Sequence, residues 1–241
     1  MTSVDEDVAE LIVPNETTCF PLAVSSLQAG VYSVLRALGV RPGTPVACDP
    51  VFPYGALAAA HAGAQLRFPQ LDSDCRVSAN AWGELAAGDT RVRVITSLFG
   101  SEYDGFSRWS GQTIVDAALC PYRASEILRF ANVVGVSFAA NKPLDCGGGG
   151  LLLFREEALR DEVRAWSLFG VRERSNPQVD PTVPGLDLRF SPHLIPVLRK
   201  KQHELVVSAD DREASWSKMR DRFDDGSWRE LTARGSFGWY R

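Results

Sequence analysis

The sequence predicts an α/β sandwich with a mostly parallel sheet. Three observations lead there. Short apolar runs alternate with helix-period segments as far as Gly170, the pattern of strands joined by covering helices. The 241 residues suffice to bury one large core. The composition, 45% hydrophobic and 23% charged, is that of a globular chain, with no internal repeat and no low-complexity tract.

The elements follow in order. "SSLQAGVYSVLRALGV" places Val31, Val34, Leu35 and Leu38 at helical spacing, with Ser25 or Ser26 as cap and Gly39 as stop. "RPGTPVACDP" reads as a turn and a short strand. "YGALAAAHAGA" reads as a small-residue helix fit for close packing, and "QLRFPQLD" as a strand. "AWGELAA" is a helical turn. "RVRVITSLFG" and "QTIVDAAL" are strands, the second ending in an acid. "NVVGVSFAA" and "GGLLLF" are strands flanking Lys142. "REEALRDEVRAWSLFG" is an amphipathic helix stopped by Gly170. "VRERSNPQVDPTVPGLD" is a polar, Pro-rich loop. The stretch from Ser191 to Phe223 reads as helix interrupted at Pro196, and the end is ambiguous.

Charge and composition exclude several functions. A net charge of −4 and a pI near 5.5 leave no basic footprint for nucleic acid. No apolar run reaches the length of a membrane span, and the acidic N-terminus is neither a signal nor a transit peptide. Cys19, Cys48, Cys75, Cys120 and Cys146 are odd in number, widely spaced and lack C-x-x-C, so reduced thiols in a cytoplasmic protein are expected. His61, His193 and His203 have no ligand-like spacing, and no metal is expected. The run Gly147–Gly150 is followed by no G-K-[ST] and opens no dinucleotide fingerprint. Its expected role is a tight turn beside Lys142.

Sites in parallel α/β sheets lie at the carboxyl ends of strands. Asp116 and Ser137 fall there, and Lys142 follows five residues after Ser137. A lysine amine forms a Schiff base with an aldehyde cofactor, and a carboxylate keeps a pyridinium nitrogen protonated. Each residue also has a plainer reading, as a turn-forming acid and a solvated lysine.

From about Ser25 to about Leu205 the chain resembles the DegT/DnrJ/EryC1/StrS aminotransferases, which are fold-type I pyridoxal-phosphate enzymes. "SFAANKPLDCGGGG" is similar to the family's S-F-x-x-T-K-x-L-x-x-G-E-G-G, with Asn141 in place of Thr and Gly148 in place of Glu. "DAAL" resembles D-A-A-Q, and Leu98–Gly100 with Asp104 resembles L-Y-G-x-x-x-D, Ser97 standing where a His is common. The resemblance implies that Lys142 is the Schiff-base lysine, Asp116 the pyridinium partner, Phe52 the stacking aromatic and Ser137 a phosphate contact. Ser26 and Gln28 fall on the family's phosphate turn, S-G-T-A, which reads "SLQA" here. Leu27 replaces its Gly and Gln28 its Thr. Leu119 replaces the Gln beside the ring oxygen. Asp187 replaces an Asn that reaches the partner subunit's phosphate, and a carboxylate there is repulsive. Arg189 keeps register.

The implied organisation is an N-terminal arm, residues 1–24, then a cofactor-binding large domain, 25–175, then a loop and helical extension, 176–241. On this resemblance the family's small C-terminal domain is expected to be largely absent, with "SFGWYR" read as a vestige of its first strand. The implied function is amino transfer from a small amino donor to a keto-sugar or related carbonyl metabolite. The implied cofactor is pyridoxal 5'-phosphate. The alternative is a non-catalytic partner of a full-length enzyme. The resemblance implies a homodimer; for a companion chain the equivalent expectation is a heterodimer with a longer homologue.

Overall fold

The structure, a computed structural model, describes residues 3–14, 16, 18–72, 77–97, 109–171 and 181–208, with the single positions 211, 214, 215 and 218. Leu98–Gly100, Asp104, Cys75, Trp216, Trp228, Trp239 and "SFGWYR" lie outside the described residues, as does most of the Pro-rich loop.

Two elements precede those expected. Helix α1 (Val4–Ile12) starts at a capping box, in which Ser3 Oγ accepts from Glu6 N–H and the Glu6 carboxylate accepts from Ser3 N–H. Strand β1 (Phe20–Val24) follows. The expected elements come next: α2 (Leu27–Ala37), β2 (Pro45–Cys48), α3 (Pro53–His61), β3 (Gln65–Arg67), α4 (Ala79–Ala86), β4 (Val92–Thr96) and β5 (Gln112–Asp116). A short helix not expected, α5 (Ala124–Leu128), leads to β6 (Val133–Ser137). β7 (Gly150–Phe154), α6 (Glu157–Ser167) and α7 (Ile195–Val207) complete the described chain. Pro196 does not interrupt α7. It stands in the first turn, where the proline's missing N–H has no intrahelical partner to lose.

One seven-stranded sheet holds these strands in the order β1-β7-β6-β5-β4-β2-β3. β2 to β6 run parallel. β7 is antiparallel to both β1 and β6, because the chain from Phe138 to Gly149 makes tight turns rather than a crossover helix. Alternate residues feed two cores. Val94, Ile114, Val133 and Leu152 face α2, α3 and α6. Ile95, Val115, Val134 and Leu151 face α1, α4, α5 and α7. Side chains of this size contribute about 1.5–3 kcal/mol each when fully buried. The result is the three-layer sandwich the sequence predicts.

β1 is an edge strand, and its free edge is covered. Ala23 N–H donates to Asp5 Oδ1 (2.8 Å) and Ser25 N–H to Leu188 O (2.7 Å). The Asp5 carboxylate is held in turn by Arg164 of α6 (2.8 Å). Among the described residues no helix is long and apolar enough to cross a membrane.

Candidate active site

The parallel strands end at one rim of the sheet, and a cavity of about 440 Å³ opens there. Ser26, Gln28, Phe52, Asp116, Ser137 and Lys142 all line it. Six residues spread over more than a hundred positions of chain therefore converge on one volume. Tyr54 and Asn141, which carry no role in the sequence reading, line it as well.

Asp116 is the last residue of β5, between Thr96 of β4 and Gly135 of β6. It is 5% exposed, and Ala118 N–H donates to its Oδ1 at 2.9 Å. Burial raises its pKa to about 6, against smaller lowering effects of the Ala118 bond and the Lys142 charge. A strand-end acid could have been only a turn former. The Ala118 bond shows that it is one, and the cavity shows that it also faces the site.

Lys142 sits in the turns between β6 and β7. Its Nζ lies over the Phe52 ring, 5.1 Å from the centroid, within reach of a cation–π attraction. Phe52 caps α3 and meets Tyr54 edge-on, with centroids 5.1 Å apart and planes at 70°. Of the chain's four lysines, Lys142, Lys200, Lys201 and Lys218, Lys142 is the only one in the stretch that holds the sheet.

Ser26 is the N-cap of α2, its Oγ accepting from Ala29 N–H (3.2 Å). Its own hydroxyl hydrogen is left to donate. Gln28, in the first turn, faces the cavity at the positive end of the helix. Ser137, last in β6, accepts from Ala139 N–H at 3.3 Å and likewise keeps its donor. An anion at this corner meets two hydroxyls, an amide and a helix N-terminus.

The departures from the family motif have local explanations. Leu27 is buried against β6, and a Cβ on Gly135 would come within 2.2 Å of its Cδ1. The bulk at residue 27 is thus accommodated by the missing side chain at 135. Gly135→Ala is expected to cost about 1–3 kcal/mol by overpacking, with much of it recovered by adding Leu27→Ala. Urea unfolding of the single and double variants checks this. Leu119 is 2% exposed and does not line the cavity, so it brings no polar group there. Asp187 lies at another cavity, of about 770 Å³, and Arg189 grips its carboxylate through two bonds of 2.7 and 2.8 Å. That arginine draws the Asp187 pKa down. The repulsive charge expected at this position is paired within the chain.

The glycine run serves the turn. Gly149 has φ +98°, and a Cβ there would come within 2.3 Å of Phe190. A Cβ on Gly150 would press on the backbone of Leu27 at 2.9 Å. Among the described residues Cys19, Cys48, Cys120 and Cys146 form no disulfide, and burial pushes the Cys48 thiol up to about 12.

Known proteins of solved structure share this fold. The aminotransferase TlmJ from Streptoalloteichus hindustanus superposes with a TM-score of 0.79 at 20% identity, over 92% of this chain and 63% of its own. DesV from S. venezuelae gives 0.76 at 20% identity, over 92% and 61%. Spr1654 from Streptococcus pneumoniae, in its PLP-form, gives 0.74 at 16% identity, over 94% and 65%. The chain thus spans less than two thirds of the length of each. No curated protein matches it. The model of the DegT/DnrJ/EryC1/StrS aminotransferase family matches residues 17–233, nearly the whole sequence. By that match, and by a lysine and a strand-end aspartate meeting where such a fold places its site, this chain belongs to the DegT/DnrJ/EryC1/StrS aminotransferase family.

Proposed function

We propose that the chain binds pyridoxal 5'-phosphate in the Lys142 cavity and transfers an amino group from a small amino donor to a keto-sugar or related small carbonyl metabolite. One observation carries this reading: Lys142, Asp116, Phe52, Ser26, Gln28 and Ser137 line a single cavity. Its size is within the range of small-molecule sites.

The residues fit the cofactor. Asp116 is buried and hard to ionise, and a protonated ring nitrogen beside it would offset that cost. Phe52 offers an aromatic face next to the amine. Ser26, Ser137 and Gln28 would hold the phosphate at the N-terminus of α2. Bound there, pyridoxal phosphate supplies an aldehyde for amines and a ring that takes up an electron pair. The protein's own part is positioning and proton handling. The Lys142 amine, in its neutral form, is the nucleophile, and as a free amine it carries a proton at Nζ. Asp116 would favour positive charge on a ring nitrogen held beside it. Phe52 and Val31 supply apolar wall to the cavity. Residues 25–175 would form the cofactor-binding unit, and a second subunit, identical or longer, would complete the site.

A second reading, a non-catalytic partner of a longer homologue, is favoured by one observation: Leu119 turns no amide toward the cavity. Titration with pyridoxal phosphate, followed by absorbance, separates the two. Wild type is expected to show a band displaced from that of free cofactor, and Lys142→Ala to lose it. Spectra of wild type and variant that both match free cofactor would favour the partner role.

A further inference from the structure

The Lys142 turn has an organiser that the family motif does not specify. Lys142 N–H donates to Ala139 O (3.2 Å), and Asp145 N–H donates to Lys142 O (3.1 Å). Cys146 N–H then donates to Phe138 O (3.1 Å), closing the loop at its base. These bonds leave the amides of Asn141 and Gly147 to be satisfied. One carboxylate takes both: Asp145 Oδ1 accepts from Gly147 N–H at 2.9 Å and Oδ2 from Asn141 N–H at 3.3 Å. Asn141, immediately before the lysine, has φ +66°, a left-handed conformation uncommon outside glycine. Asp145 thus spans Lys142, with one oxygen on the residue before it and the other on the turn after it.

We infer that Asp145 is a positioning residue, whose carboxylate clamps Asn141 and Gly147 so that Lys142 Nζ stays over Phe52, facing Asp116. Asp145 itself does not line the cavity. It acts through the backbone and touches no cofactor. The inference rests on the cofactor reading for its consequence, but the clamp exists with or without cofactor. An ionised acceptor suits the task, since one carboxylate takes two N–H donors and bonds to a charged group are the stronger kind. Asparagine keeps one acceptor oxygen and loses the other. Glycine at position 141 would adopt the left-handed conformation unaided.

The test uses the full chain as wild type, Asp145→Ala, Asp145→Asn and the double variant Asp145→Ala with Asn141→Gly. Hydrogen exchange is read over residues 138–149, with β6 and β7 as internal references. Separately, the rate at which borohydride traps a pyridoxyl group on Lys142 is compared with the affinity for pyridoxamine phosphate, which has no aldehyde and reports binding alone. Asp145→Ala is expected to speed exchange of the Asn141 and Gly147 amides about tenfold or more, leaving the strands unchanged. Trapping is expected to slow about tenfold or more, with pyridoxamine phosphate affinity held within about twofold. Asp145→Asn should fall between, and Asn141→Gly should restore part of the rate. Unchanged loop exchange in Asp145→Ala overturns the inference. So does a parallel loss of analogue affinity and strand protection, which would mark a general structural role. If wild type traps no pyridoxyl group, the cofactor reading fails, and the exchange result alone decides the clamp.

Discussion

Asp116→Asn is expected to stabilise the cofactor-free protein by about 2 kcal/mol at about pH 8 and to leave it nearly unchanged at about pH 4. The sign follows from burial. The folded-state pKa of Asp116 is raised from an ordinary 3.8 to about 6. Between those values the folded chain holds a proton that the unfolded chain has released. Wild-type stability therefore falls as pH rises through that window and stays lower above it. Asparagine mimics the protonated acid and does not titrate, so the two curves separate as pH rises through the window and stay apart above it. Two pKa units correspond to about 3 kcal/mol, and the buried amide of Asn takes back part of it. Denaturant unfolding across that pH range measures the difference. The same change should weaken cofactor binding about tenfold to a hundredfold, because a neutral amide cannot hold a charged ring nitrogen. Stability and binding moving in opposite directions would mark Asp116 as a residue kept for its chemistry. A variant that loses both would make the aspartate structural.

The second large effect is expected three residues back along β4 and β5 from the Thr96–Asp116 pair. Arg93 of β4 is fully buried, and its Nε donates to Thr113 Oγ1 at 2.9 Å. Its guanidinium lies 5.5 Å from the Trp82 ring and 5.0 Å from the Trp109 ring, and burial lowers its pKa to about 10. The two indoles meet edge-on at 6.4 Å. Arg93→Ala would remove most of a large side chain from between two rings and leave a void that the sheet cannot close. A loss of about 3–5 kcal/mol is expected, the range for deleting a large buried side chain. Unfolding followed by tryptophan fluorescence reads it, since both rings report on the same place. Cofactor uptake by the folded fraction should be unaffected. A change below about 1 kcal/mol would show that the cage contributes little.

How much of this was legible in the sequence depended on range. The six candidate residues could be named because strand ends, residue types and motif register are local properties, and all six line one cavity. Tyr54 and Asn141 were missed because neither carries a spacing signal. Tyr54 faces the cavity through its edge-on contact with Phe52, and Asn141 through a left-handed turn. The capping box at Ser3 and Glu6 was available in the sequence, whereas β1 was obscured by Pro21, tolerable only because that strand is at an edge. α5, five residues long, is too short to show a period. The direction of β7 was hidden because a strand's apolar run does not state which way it lies. The lack of a helix between β6 and β7 was the signal. Arg93 was unreadable for another reason. A charged residue in a strand reads as exposed, and the two tryptophans that bury it arrive from separate segments. Leu27 is intermediate. It looked like a defect in a phosphate turn, and only the sheet beneath it shows that Gly135 makes room.

The most direct measurement is a peptide mass map of the wild-type chain after incubation with pyridoxal phosphate and borohydride reduction. With four lysines to choose among, the map is unambiguous. One pyridoxyl phosphate per chain on Lys142, with Lys200, Lys201 and Lys218 unlabelled at stoichiometric cofactor, is the predicted result. Label spread over the other three lysines, or absent from Lys142, would contradict the account.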